Sequence, residues 1–392
     1  MDAIQRAVLI SSFVAIISGM GICSLLNSPP DFLWDELRRP TAFPAWNVKT
    51  FPKQFDGFFN DRIALRSELV MVRNWLKLQA FNSSGTSLVM AGKDGWLYLK
   101  DDVCQGLPYC TRPFTNEELN LIADHYSETR AWLRKQGIAY LVVVVPGKSA
   151  IYPEFLPAGL NLVWSRNRVS QVLEALGKRD VPVVDLYNAE RKRSKHEQIF
   201  FKGDSHWNDR GALLAALTIE DAVRKRFGAA CRVRAGRTSV FPSQLDSPDL
   251  LRMLGLGAIA KENYERIALT SEGVIECRMR TSGSATCHAT IAASLETAIA
   301  SLNDRDPVLT VSSGKELPRA IFLCDSFATS LRPLIAPDFK EALWCREAEV
   351  PRKLVAAMKP DIVIEEIADR FVSFRLPPAV RDKLAARNKL VM

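Results

Sequence analysis

"AYLVVVVP", residues 139–146, decides the fold. Four consecutive valines behind a leucine leave no polar face. A strand built from them must be covered on both sides, as strands of a parallel sheet are. Upstream, Thr115 with Glu118 three residues on forms a capping box. Leu119, Ile122, Tyr126 and Leu133 then share one helical face, and Gly137 closes that helix just before the valine run. Downstream, a helix is expected around residues 166–176, a second buried strand at "VPVVDLY" (181–187) and a helix from about Asp209 to Phe227. "AIFLCDSF" (320–327) and "DIVIEEI" (361–367) read as further buried strands. Strands alternating with helices predict an α/β fold around a central parallel sheet.

The chain has 392 residues, enough for one large domain or two ordinary ones, and its 47% hydrophobic content is that of a globular protein. The formal charge of +8 suits an anionic polymer or lipid surface, or a diffuse set of solvated side chains. Basic and aromatic residues do not interleave in a nucleic-acid-binding module, so no nucleic acid is expected as a partner. Residues 7–26, "AVLISSFVAIISGMGICSLL", carry no charge and match a bilayer core of roughly 30 Å at about 1.5 Å per residue. Arg6 precedes them, "NSPPDFLW" offers no A-x-A cleavage pattern, and Ile22 before Cys23 is unlike a lipoprotein site. An uncleaved signal anchor is the first reading, with the rest of the chain outside the cytoplasm; a cleaved signal peptide is the competitor.

Five segments are expected: an anchor over 1–28, a Pro-rich linker over 29–50, a first α/β part over 51–227, a β-rich insertion or lid over 228–316, and a second α/β part over 317–392. Within the first part, residues 55–81 read as an amphipathic helical stretch and "SLVMAGKDGWLYL" (87–99) as a hairpin turning at Asp94-Gly95. Eight cysteines fit an oxidising compartment. Cys104 could pair with Cys110, and Cys277 with Cys287 across a Gly-Ser tip. No cysteine or histidine cluster has zinc spacing, so no metal is expected.

Two motifs fall where ligands bind in open α/β sheets, past the carboxyl ends of strands. One is "FFKGDSHWNDRGA", residues 200–212; the other is Ser326, at the turn after "AIFLC". Serine is a weak nucleophile that needs a base. His206 could take its proton and Asp204 could orient the imidazole, while backbone N–H groups at the serine turn hold an oxyanion. Each residue also has a plainer role: Asp204 bonding loop amides, His206 packed in the core, Ser326 in a turn. Asn208 or Asp209 is most simply a helix N-cap. Trp207 could wall the site or meet substrate. Lys148 and Tyr152, after the valine strand, could bind a carboxylated sugar and a substrate hydroxyl, or be a solvated lysine and a packed tyrosine. Arg332 has the same two readings.

Taken together, "FFKGDSHWNDRGA" and "AIFLCDSFATSLRPLI" resemble the AlgX/AlgJ-like alginate O-acetyltransferase family. "FDGFFNDRIALRSEL", "GKDGWLYL", "VVVVPGKSAIYPEFLP", "VVDLY" and "PDIVIEEIADRF" are similar to that family's recurring segments, so the resemblance spans roughly 51–371 outside 228–316. It implies an SGNH-hydrolase-like three-layer α/β/α domain with Ser326 as nucleophile, His206 as base and Asp204 as its orienting carboxylate. Cys324 stands where the family usually has Gly; Cys345, ending "EALWC", could neighbour it. The family implies acetyl transfer through an acetyl-serine to an exopolysaccharide in the periplasm. No cofactor is expected: a multi-pass membrane O-acyltransferase would pass the acetyl group across the inner membrane, with the anchor keeping this domain beside it. The competing functions are an acetyl-esterase on envelope glycans and a non-catalytic glycan-binding subunit.

Overall fold

The computed structural model describes residues 3–26, 29–47, 49–100, 114–157, 168–227, 238–269, 274–279, 285–286, 292–304, 306–312, 317–371 and 381–382. The chain divides into two compact units. The first takes Met1–Leu97 with Asp246–Lys261, the second Tyr98–Leu245 with Glu262–Met392.

The first unit opens with α1 (Ala3–Leu26). Its segment Ile4–Ser24, with a mean hydropathy of 2.1, is long and apolar enough to cross a membrane. The amphipathic stretch expected over 55–81 forms as two helices, α2 (Phe51–Asn60) and α3 (Arg66–Phe81). Leu65 breaks them apart in a left-handed conformation at φ 62°. Asp61 holds the break. It accepts two bonds from Arg38 at 2.7 Å each and one from the Thr41 N–H at 2.7 Å. Burial favours the neutral acid, yet those donors outweigh it and bring the Asp61 carboxyl down to about 2. The turn at Asp94-Gly95 has both residues at positive φ, 54° and 78°, as a primed hairpin turn requires, and the Gly92 N–H donates to the Trp96 carbonyl at 2.7 Å.

The second unit is built on an eight-stranded sheet. Its parallel part runs, in spatial order, β4 (Val183–Asp185), β3 (Ala139–Val145), β12 (Ile362–Ala368), β10 (Arg319–Leu323) and β11 (Glu341–Cys345). Strands β9 (Val308–Val311), β7 (Ile275–Met279) and β8 (Ala285–Thr286) extend it in antiparallel fashion from the β11 edge. The sheet is therefore mixed, with five neighbouring strands parallel and three beyond them antiparallel. Part of the segment read as an insertion supplies its edge: β9 pairs antiparallel with β11 and β7, and β7 with β8.

Helices lie against both faces. On one, α4 (Asn116–Lys135), α6 (Arg168–Lys178), α10 (Ala293–Ala300) and α12 (Arg352–Met358) bury Ile122, Leu176, Ile299 and Leu354 against Val142, Leu323 and Val363. The capping box of α4 is formed, with Thr115 and Glu118 each accepting the other's backbone N–H. On the opposite face Phe322 stacks on Trp344 at 3.8 Å between ring centroids, and Trp344 donates to the Thr310 hydroxyl. Helices α8 (Asp209–Phe227) and α11 (Ala328–Ile335) pack on each other. Strands β5 (Thr238–Asp246) and β6 (Lys261–Leu269) form a separate two-stranded arm. Cys277 is disulfide-bonded. The pairings considered from sequence, Cys104 with Cys110 and Cys277 with Cys287, each include residues outside the described set.

Candidate active site

The segment 199–208 doubles back on itself. Phe200 and Trp207 form a β-bridge, the Phe201 N–H donates to the His206 carbonyl at 3.2 Å, and the Asn208 N–H to the Ile199 carbonyl at 3.0 Å. This narrow loop projects Asp204 at its tip. Asp204 Oδ1 accepts from the His206 N–H at 3.0 Å and faces His206 Nδ1 at 2.7 Å. His206 Nε2 lies 2.7 Å from Ser326 Oγ. Ser326 follows β10 and precedes α11, so a carboxylate, an imidazole and a hydroxyl form one line past the carboxyl end of a central strand. Both ring nitrogens of His206 are engaged; a metal at this histidine would have to displace Asp204 or Ser326.

The loop is tied down from two sides. Lys148 is fully buried, and its Nζ donates to the carbonyls of Phe201, Lys202 and Asp204 at 3.1, 3.1 and 2.7 Å. Glu262, on β6, accepts the N–H groups of Lys202 and Gly203 at 2.6 and 2.8 Å. Gly211 completes the fit, because a Cβ there would come within 2.4 Å of the Ile199 carbonyl oxygen.

The serine turn is equally fixed. Asp325 Oδ1 accepts from the Phe327 N–H at 2.9 Å and its Oδ2 from the Ala368 N–H at 2.8 Å, while the Asp325 N–H donates to Glu366 at 3.0 Å. The N–H just after Ser326 is therefore taken. That of Ser326 itself has no acceptor among the described residues. Cys324 is buried, and its N–H donates to the carbonyl of Cys345 on the neighbouring strand at 2.9 Å. It does not line the cleft over Ser326, so the side chain added in place of Gly is accommodated below the site.

Several residues considered as substrate contacts sit elsewhere. Lys148 points into the protein and bonds main chain, so it is neither solvated nor available to a sugar carboxylate. Tyr152 is buried; its hydroxyl accepts from the Ile199 N–H at 2.9 Å, and burial pushes it up to about 12. Asn208 caps α8, its Oδ1 accepting from the N–H groups of Arg210 and Gly211 at 3.0 and 3.2 Å. Trp207 is buried edge-on against Phe327 and donates to Ser330 Oγ at 2.9 Å, which makes it a wall. Arg332 does line the cleft, but it is paired with Glu276 at 3.1 Å.

The cleft measures about 600 Å³ and opens over Asp204, His206 and Ser326. The β5–β6 arm supplies another wall through Tyr264, Arg266 and Ala268. Arg266 is exposed, and its charge acts on Asp209, which also lines the cleft. Sequence reading missed these contacts. The signal was there in "YERIA", whose alternate residues Tyr264, Arg266 and Ala268 share one face of a strand.

Helices on both faces of a largely parallel sheet frame an α/β domain with an Asp–His–Ser line past the sheet's carboxyl edge. Residues 89–274 match the family described as "SGNH hydrolase-like domain, acetyltransferase AlgX". Over that stretch, just under half of its length, the chain resembles this family. It is 28% identical over 155 residues to the probable alginate O-acetylase AlgJ of Pseudomonas syringae pv. tomato, covering 38% of this chain and 37% of that protein. It is 29% identical over 147 residues to the probable alginate O-acetylase AlgJ of Pseudomonas fluorescens, covering 36% and 34%. The matched stretch thus spans little more than a third of these relatives. Bacillus cereus PatB1 shares the fold, at 15% identity and a TM-score of 0.51 over 72% of this chain and 96% of that one.

Proposed function

We propose that the second unit is an O-acetyltransferase acting through an acetyl-serine at Ser326. The observation that carries this reading is the unbroken line from Asp204 Oδ1 through His206 to Ser326 Oγ, at 2.7 Å on each side of the imidazole. Ser326 Oγ attacks the carbonyl carbon of an acetyl ester as His206 Nε2 takes the hydroxyl proton. Asp204 holds Nδ1 protonated and stabilises the imidazolium. The Ser326 N–H supplies one donor to the oxyanion. Collapse of the tetrahedral intermediate breaks the bond to the donor alcohol, which leaves with the proton from His206. An acceptor hydroxyl then returns through the same steps, and Ser326 is regenerated.

The acceptor in this reading is an extracytoplasmic polysaccharide, supported by the names of the AlgJ relatives. The exposed Arg266 at the cleft suits an anionic sugar. The account needs no bound cofactor, because the acetyl group travels as an ester. With α1 as a single-pass inner-membrane anchor and the rest of the chain in the periplasm, a multi-pass membrane O-acyltransferase would deliver that ester.

The test uses the full chain in detergent with p-nitrophenyl acetate, with and without a polyuronate, following acetyl groups on the polymer. The expected result is acetyl recovered on the polymer and lost in Ser326→Ala. Acetyl recovered only as free acetate, at a rate the polymer does not change, would replace transfer by ester hydrolysis.

A further inference from the structure

Helix α3 leaves an apolar stripe uncovered. Leu65, Leu69, Val72 and Leu76 recur at the i, i+4, i+7, i+11 spacing of one helical face and are 61, 54, 49 and 50% exposed. The face opposite is the one that packs: Asn74 is buried with its amide donating to the Leu254 carbonyl at 2.9 Å, and Gly255 approaches Val70. Only one side of α3 therefore faces protein. Ahead of it lies an aromatic cluster. Phe43 meets Phe51, Phe55 and Phe58 edge-on, Trp46 leans on Phe51, and Trp46 and Phe43 remain 79 and 65% exposed.

The position of the stripe says what covers it. Ser24, in the last turn of α1, is buried, and its Oγ accepts the N–H of Ala64 at 2.9 Å. The stripe thus begins one residue from the end of the apolar helix. If α1 crosses the bilayer, Leu65 sits where the chain emerges, at the depth where tryptophan and phenylalanine rings partition. The α2–α3 segment has five cations against three carboxylates, so apolar contact outweighs charge in its attraction to a surface.

We propose that α3 lies along the outer surface of the bilayer that α1 enters, its Leu65–Leu76 stripe sunk into the lipid interface beside the Phe43–Trp46 cluster. The inference rests on α1 being a membrane anchor. It assigns the first unit a second, peripheral attachment that fixes how that unit is carried on the lipid.

The test reconstitutes the full chain, with Cys23→Ser, in vesicles of phosphatidylethanolamine and phosphatidylglycerol. Single cysteines labelled with a nitroxide are placed at Leu69, Val72 and Leu76. Ile10 in α1 and the exposed Lys192 serve as references. Oxygen collides preferentially with labels in lipid, a water-soluble nickel chelate with labels in water. The expected result is an oxygen-to-nickel ratio at all three stripe positions several-fold above that at Lys192 and unchanged by high salt. Labels at 69, 72 and 76 matching Lys192 while Ile10 reads as lipid-embedded would overturn the inference and leave the anchor standing; a protein partner covers the stripe in that case. Ile10 matching Lys192 would overturn the anchor, and the inference with it.

Discussion

Replacing Lys148 by methionine separates a positioning lysine from one that binds substrate. The buried ammonium makes three bonds to main-chain carbonyls of the loop that carries Asp204 and His206, and Asp204 itself receives the shortest, at 2.7 Å. Methionine fills similar volume and strands no charge, but three carbonyls lose their donor. Bonds to a charged group contribute about 1.5–3 kcal/mol each, and removing the desolvated ammonium offsets part of that, so the net destabilisation is about 2–4 kcal/mol. Glu262 still holds Lys202 and Gly203, so the loop loosens at its Asp204 end without detaching. A displacement of Asp204 approaching an ångström costs about ten- to a hundredfold in the rate of Ser326 acylation. Chemical unfolding together with initial rates of p-nitrophenol release reads both quantities. Because Lys148 has no exposed surface, KM for the small ester should hold while kcat falls. A variant of normal stability with a raised KM would refute the positioning role and return Lys148 to the substrate.

Three further substitutions probe the surroundings. Asn208→Ala removes the cap of α8 and should lower stability by about 1 kcal/mol, with the loss visible in thermal melts; no loss would mean another group caps the helix. Glu190 is fully buried, and desolvation first, then Asp185 and Asp369, raises its carboxyl well above 4.5. The folded protein therefore binds a proton that the unfolded chain releases, and its stability falls as pH rises above that value. Glu190→Gln does not titrate, so its melting temperature should gain on the wild type as pH rises above 4.5; a constant difference would sink this assignment. Arg266→Ala should raise KM for an anionic acceptor by about tenfold, as expected for one lost charge-assisted contact, and leave that for a neutral glycan nearly unmoved. Equal shifts for both would remove charge from acceptor recognition.

The parts of the architecture legible in the sequence are those whose chemistry permits few alternatives. Four valines in a row admit little but a strand covered on both faces, and β3 lies inside the sheet. The Thr115 capping box marks the start of α4 because its reciprocal bonds depend only on local spacing. Asp204 and His206, two residues apart, needed only a tight loop to meet, and Ser326 needed only to follow a strand that ends beside that loop. Side-chain direction was not legible. Lys148 and Tyr152 follow β3 as a site residue would, but both side chains turn inward, where Lys148 reaches carbonyls more than fifty residues away. Glu276, which pairs with Arg332 across 56 positions, lies in a strand of the segment taken for an insertion. The antiparallel edge was hidden for a related reason: β7, β8 and β9 are short, and their partners are fixed by long-range pairing rather than by local pattern.

Trapping the acyl group tests whether Ser326 is the nucleophile. The full chain, Ser326→Ala and His206→Ala are each incubated briefly with p-nitrophenyl acetate, and intact mass and peptide mapping locate any acetyl group. The account predicts a single acetyl on Ser326 in the unaltered chain, absent from both variants. An unmodified Ser326 with the same background rate in all three proteins would contradict it.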